Sequence, residues 1–379
     1  MRRVTAFDMP LFFCFLILVG LGIAFVYTSS YPQAMTDGGS GFSFAGKQIL
    51  FALIGLVMMF ACIYIPLPFL RRHAMAIGVI IVGLLVLVLI WGTAKHGNKA
   101  WIPVGPFQFQ PSEFAKVAII IILSARLAAH PECMRSFTDL LKGPYLLLAI
   151  PLGLILLQED LGTATVFALA SILLIAIAGV KFRFWGLPML VLFMLAAMVV
   201  LMGHRAERIE AWRHPFNETL QGSYQPRNSL IAIGSGGLFG RGFCQSRQKW
   251  FYLPGARNDY IVSIIAEELG LILIVLFLFV PYLFMIYRGF TVANKAPDEF
   301  SALVAAGCTV MLATQALVNL GVVTNLLPCM GINLPFISYG GTSLIASMMM
   351  AGLLLNVSGK HAIQRQRRHA TMEKQPAAV

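Results

Sequence analysis

Six carboxylates stand where an apolar chain should avoid them. Glu113, Glu159, Asp160, Asp259, Glu267 and Glu268 all fall at or just inside the ends of apolar runs. Ionisable groups at such depth are expensive and need a reason. Residues 204–260 supply the contrast: eight cations (Arg205, Arg208, Arg213, Arg227, Arg241, Arg247, Lys249, Arg257) against four acids. A carboxylate beside a cationic patch suits one chemistry. The cations hold a pyrophosphate leaving group while the carboxylate takes a proton from an attacking hydroxyl. Arginine matches phosphate bidentately, which fits Arg208, Arg247 and Arg257, with Lys249 as a further cation. Each group also has a plainer reading. Glu113 can pair with Lys116 three residues on. Glu267 or Glu268 can pair with a cation from another helix. Asp259 follows Arg257 and precedes an apolar run, so it can be a helix N-cap or first-turn carboxylate. The basic stretch can be a solvated loop.

Other chemistries find little support. The six cysteines (Cys14, Cys62, Cys133, Cys244, Cys308, Cys329) are scattered without a CxxC pair and read as small apolar fillers. No His/Cys cluster suggests zinc, and no GxSxG motif marks a serine nucleophile. The glycine-rich stretch GSGGLFGRG, residues 234–242, could cradle a phosphate on its N–H groups or be a flexible turn. It lacks the Lys-Ser/Thr of an ATP-binding loop. Glu113, Lys116 and Asp160 could line a cavity, bind a divalent cation (magnesium or manganese) or hold helices together. The run from Ser338 to Ser343 has small residues suited to close helix packing near the same pocket. Gln315 and Asn319 share a helix face and could bond polar groups between spans.

The elements that must position these residues follow from composition. Of 379 residues, 58% are hydrophobic and 12% charged, and the mean hydropathy is +0.80. A soluble protein could not hide this much apolar surface, so the expectation is an all-α polytopic membrane protein. All-β enzymes, nucleotide-binding α/β enzymes and disordered regulators are excluded. A helix needs about 20 apolar residues to cross the hydrocarbon. Candidate spans lie near 9–28, 47–66, 74–93, 112–129, 144–158, 160–179, 185–203, 261–287, 300–322 and 337–357, which makes ten. The first run is too long for a signal peptide core and lacks a supported cleavage site. With both termini cytoplasmic, inner segments hold sixteen cations and short outer loops only Lys47, Lys95 and Lys99. That asymmetry is the positive-inside pattern. It explains the net charge of +12 without nucleic acid. The predicted organisation is one transmembrane domain over 1–359, with a long extracytoplasmic loop at 204–260 between spans seven and eight. A basic, frayed cytoplasmic tail covers 360–379.

Six motifs in order carry a family likeness: residues 110–116 (QPSEFAK), 158–163 (QEDLGT), 233–238 (IGSGGL), 246–254 (SRQKWFYLP), 266–270 (AEELG) and 334–344 (LPFISYGGTSL). The series resembles the SEDS family (shape, elongation, division and sporulation) of FtsW, RodA and SpoVE, over nearly the whole chain. The resemblance implies a peptidoglycan glycosyltransferase of the cytoplasmic (inner) membrane, with its active site on the extracytoplasmic face. Its substrate would be lipid II, the undecaprenyl-pyrophosphate disaccharide-pentapeptide. It implies a class B penicillin-binding protein as partner, along with divisome or elongasome regulators. The family's essential aspartate falls on Asp259, the expected general base. Arg257-Asn258-Asp259-Tyr260 stands where the family usually has His-Thr-Asp-Phe, which leaves the orientation of the carboxylate open. Ser246-Arg-Gln-Lys249 is closer to the FtsW and SpoVE branch and implies a septal role, with RodA-like elongation as the alternative. Arg208, Arg247, Lys249, Arg257, Glu113, Lys116, Asp160 and Ser338 are the candidate substrate-binding residues. A lipid II flippase, or a scaffold that only activates its partner, are the competing classes.

Overall fold

The computed structural model describes residues 7–95, 98–105, 107–191 and 203–373. It is predominantly helical. The helices are α1 (Met9–Thr36), α2 (Ser43–Tyr64), the short α3 (Leu67–Arg72), α4 (Ala74–Trp91), α5 (Pro111–Ala129), α6 (Phe137–Leu157), α7 (Leu161–Ile177), α8 (Gly203–Arg213), α9 (Tyr224–Gly236), α10 (Ile261–Asn294), α11 (Glu299–Val323) and α12 (Gly341–Glu373). Among the described residues seven are long and apolar enough to cross a membrane: α1, α2, α4, α6, α10, α11 and the first part of α12. Helix α7 is apolar but only 17 residues long, and α5 carries Glu113, Lys116 and Arg126. Most of the span expected at 185–203 lies outside the described residues.

Local chemistry explains where helices start. Asp8, Asp160 and Asp298 are N-caps whose carboxylates accept from Leu11 N (3.1 Å), Thr163 N (3.1 Å) and Ser301 N (3.0 Å). Each satisfies an N–H that the first turn leaves without a partner. At the end of the bundle opposite Asp259, Asp8 also takes Arg288 Nη2 at 2.7 Å, and its N–H donates to Ser358 Oγ at 3.0 Å. Helix α11 is buried along nearly its whole length. It packs against α5, α7, α10 and α12 and is the central post of the fold.

Four expectations need correcting. The fold is not wholly helical: Thr93–Lys95, Asn98–Val104 and Phe107–Phe109 form a three-stranded antiparallel sheet between α4 and α5. A reading tuned to long apolar runs passes over such short strands. The fifth span, expected to start at 144, starts at Phe137 and contains a π-helical turn over Leu141–Tyr145 that absorbs Pro144. It ends in a tight hairpin in which Glu159 takes φ 61°. Helix α12 runs on to Glu373 where a frayed tail was expected. Finally, the stretch 204–260, expected as a loop, carries most of α8 and all of α9.

Residues 237–242 are knitted to α10 where that helix breaks. Gly270 has φ 75° and ψ 175°. Arg241 N and Gly242 N donate to the Glu267 and Glu268 carbonyls (2.9 and 3.0 Å), and Leu271 N and Ile272 N donate to the Gly237 and Leu238 carbonyls (2.9 and 3.1 Å). A Cβ on Gly270 would collide with the backbone of residues 238–240. Gly270→Ala therefore combines a left-handed φ with overpacking and should cost about 2 kcal/mol or more. Thermal unfolding in detergent should show it as a clearly lowered melting temperature. An unchanged value would mean the strands of chain are not locked together.

Candidate active site

The segment bearing Asp259 is held carbonyl by carbonyl. Tyr339 N donates to Arg257 O (2.9 Å), Ser338 Oγ donates to Asn258 O (2.7 Å) and Asn319 Nδ2 donates to Asp259 O (2.8 Å). Asn319 Nδ2 also reaches Ile332 O at 2.6 Å, and Ser338 Oγ accepts from Leu334 N at 2.8 Å. The loop between α11 and α12 is thus bonded both to itself and to the Asp259 segment. Three of its residues, Asn325, Gly331 and Phe336, sit at positive φ (58°, 68° and 67°). A Cβ on Gly331 would lie 3.5 Å from Asp259 Oδ2, so the missing side chain leaves the carboxylate uncovered on that side.

The Asp259 carboxylate itself is bonded to no other group among the described residues. It does not cap α10, whose N-terminus has no side-chain cap. The side chain is partly accessible, yet protein surrounds it. That burial, with the negative charge of Asp160 as the lesser cause, raises its pKa to about 6. Asp160 is buried: Gln110 Nε2 donates to its Oδ2 at 2.8 Å, and Thr163 N to its Oδ1. Burial raises its pKa too, against the lowering effect of the Thr163 bond.

Beyond Asp160 a buried polar chain continues. Lys116 Nζ lies 2.7 Å from Glu113 Oε2 and donates to Gln315 Oε1 at 2.7 Å. Gln315 Nε2 donates to Asn333 O at 2.9 Å. The Glu113–Lys116 pair therefore tethers α5 to α11 and to the loop that faces Asp259. Among the described residues no three His, Cys, Asp or Glu side chains group as metal ligands.

Five of the eight cations divide by what they touch. Arg257 lies over the Phe44 ring (4.0 Å) and near that of Tyr339 (5.5 Å), and its Nη1 donates to Gln33 Oε1. It pins the Asp259 segment to α1 and α2. Lys249 is buried, 3.0 Å from Glu268 Oε1, and donates to Cys244 O at 2.7 Å. Arg227 pairs with Glu218 at 2.7 Å. Arg208 is exposed and close enough to act electrostatically on Tyr260 and Cys329 beside Asp259. Its helix α8 is docked by reciprocal Trp212 and Asn325 bonds, both 3.0 Å. Arg247 is exposed but anchored through its N–H to Glu267 Oε1 at 3.0 Å. Glu267 is eight residues beyond Asp259, about 12 Å along the helix.

The structure thus gathers Asp259, Asp160, Glu113, Lys116, Ser338, Arg257 and Arg208, and sets Arg247 and Lys249 apart. Glu268 takes its cation from the 237–253 segment and not from another helix. The N–H groups of Gly240, Arg241 and Gly242 are spent on backbone carbonyls, so the glycine-rich stretch is neither a flexible turn nor a phosphate cradle at those positions. Sequence reasoning missed Gln33 and Phe44, and it held Gln110 and Tyr339 only as members of motifs, without a role of their own. Gln33 and Gln110 are uncharged amides close to helix ends, where no spacing rule picks them out.

Fold and site together define a multi-spanning membrane protein in which, among the described residues, an unpaired carboxylate lies beside a buried polar network at one end of the helix bundle. The chain belongs to the FtsW/RodA/SpoVE family: residues 9–363 match the family model described as cell cycle protein. It is 40% identical over 366 residues to stage V sporulation protein E of Bacillus subtilis (strain 168), covering 94% of this chain and 98% of that protein. It is 36% identical over 362 residues to the probable peptidoglycan glycosyltransferase FtsW of Geobacter sp. (strain M18), covering 94% and 98%. A solved chain from a study of how a peptidoglycan synthase complex coordinates polymerization and crosslinking superposes with a TM-score of 0.77. It is 28% identical, with 94% of this chain and 98% of that chain covered.

Proposed function

We propose that this protein is a peptidoglycan glycosyltransferase that polymerises lipid II at the extracytoplasmic face of the cytoplasmic membrane, through ten spans with both termini inside. Asp259 takes the proton of the 4-hydroxyl on the acceptor's terminal GlcNAc. That oxygen forms a bond to C1 of the donor MurNAc with inversion, and undecaprenyl pyrophosphate leaves with the C1–O bonding pair. The proton then passes from Asp259 to water. The observation that carries this reading is the Asp259 carboxylate: partly accessible, held by its backbone, and without a bonding partner of its own among the described residues. A structural acid would be paired. Arg208 is the cation best placed to meet the leaving diphosphate, while Arg257 orients the loop.

The relatives' names support the activity, and the Ser246–Lys249 segment supports a septal role. The synthase-complex chain supports a crosslinking transpeptidase of the class B penicillin-binding type as partner. Purified protein incubated with lipid II in detergent, with and without divalent cations, tests the reading. Glycan polymer is the expected product. Transbilayer movement of labelled lipid II in vesicles without any polymer would overturn it in favour of a flippase.

The pH dependence has a definite sign. A base works only when ionised, and Asp259 protonates at about 6. The kcat/KM should therefore be level above about pH 7 and fall about tenfold per unit below the pKa. Asp160→Asn removes a like charge while keeping an oxygen to cap Thr163 N, so the acid limb should move to lower pH. A pH–rate profile that does not move on this substitution would separate the two acids electrostatically.

A further inference from the structure

The 237–247 segment sits at a definite depth in the bilayer. Along α10, residues 271–287 carry no charge, which is about 26 Å of helix at 1.5 Å per residue. That nearly fills a hydrocarbon core of about 30 Å. Arg288 bounds this run at one end, and Glu267 and Glu268 bound it at the other. The break at Gly270 therefore marks the edge of the hydrocarbon at the Asp259 end. The four backbone bonds described above fasten residues 237–242 at that level. Leu238 and Phe239 point outward there, Phe239 with 78% exposure, and continue the exposed apolar surface of Leu271 and Ile272.

Two guanidinium groups border this surface. Arg241 touches Glu267 Oε1 only through Nε, at 3.6 Å, and its Nε also donates to Ser235 O at 3.4 Å. Among the described residues its two Nη groups have no partner, and neither has the Arg247 guanidinium. Glu267 cannot neutralise both, because its oxygens already accept from Ser246 Oγ (2.5 Å), Arg247 N and Gln248 N. Open arginine forks at the headgroup level, beside apolar side chains at the hydrocarbon edge, match a phosphodiester on a diacyl lipid.

We infer that Arg241 and Arg247, with Leu238 and Phe239, form a binding site for anionic phospholipid headgroups in the leaflet at the Asp259 end. The site is separate from Asp259 and its neighbours and does not depend on the proposed reaction. Phosphate chemistry is shared with soluble phosphates, but the apolar pair and the depth assign the occupant to the bilayer.

Cys244, exposed between the two arginines, provides the probe. The full chain, with Cys329 exchanged for serine, is labelled at Cys244 with a fluorophore and reconstituted in nanodiscs. These contain equal small fractions of nitroxide-labelled phosphatidylglycerol or phosphatidylcholine. Phosphatidylglycerol should quench preferentially, by about fivefold local enrichment per arginine. Arg247→Gln should remove about one such factor, and Arg241→Gln with Arg247→Gln should abolish the preference. Among the described residues Arg247 bonds the protein only through its backbone, so the single variant should keep the fold. Equal quenching by the two lipids, or a preference that survives in the double variant, would overturn the site. So would a probe that no lipid nitroxide reaches, the result expected if a protein partner covered the segment. Soluble pyrophosphate should leave the preference intact; its loss would assign the arginines to a water-soluble anion instead.

Discussion

Asp259→Asn is expected to lower lipid II polymerisation by about 10²–10⁴-fold, the usual contribution of a general base. It should do so without unfolding the protein. The clamp on this residue acts on its backbone carbonyl, through Asn319, and the side chain bonds nothing among the described residues. The amide fills the same space and needs no new partner. Glycan length on gels, measured beside the melting temperature, checks both halves. Polymer at the wild-type rate would remove Asp259 from the chemistry. Loss of polymer together with a collapsed melting temperature would make the carboxylate a structural group.

Lys249→Met is expected to act on stability instead. From the sequence Lys249 was a candidate grip on diphosphate. In the structure its ammonium is buried against Glu268, 3.0 Å away. Glu268 Oε2 is already without a hydrogen-bond partner. Removing the cation leaves a buried carboxylate uncompensated, which costs about 3–5 kcal/mol. Pairing Lys249→Met with Glu268→Gln should recover much of that loss, because the stranded charge is gone. Thermal unfolding of the two single variants and the double variant decides the matter. A stable Lys249→Met protein with a raised KM for lipid II would return the lysine to substrate binding.

The membrane-spanning character was legible because it is written in composition and in runs of about 20 apolar residues. Each expected span other than the largely undescribed 185–203 overlaps a helix. The acids were legible for a related reason: in a chain with 12% charged residues, a carboxylate beside an apolar run stands out. The pairing of Glu113 with Lys116 followed from helical spacing. What could not be read was which cations remain available. Arg257 and Arg208 look alike in a sequence, yet one is spent on Phe44 and Gln33 and the other is exposed. That distinction arises from contacts between residues more than two hundred positions apart. The Arg257-Asn258 departure is resolved in the same way. Arg257 orients the segment by stacking on Phe44 and bonding Gln33. At position 258 the bond that counts is made by the backbone carbonyl, which accepts from Ser338 whatever the side chain.

The clamp on residues 257–259 has a consequence for biogenesis. Its fasteners are Gln33, Asn319, Ser338 and Tyr339, drawn from near both ends of the polypeptide. While the ribosome is still making α11, the segment has been translated and can be held by Gln33 and Phe44 alone. A prematurely terminated chain lacking the stretch after α11 would lose the bonds from Ser338 and Tyr339 to the carbonyls of residues 258 and 257, so the grip on the aspartate is completed only when the last helix has been made.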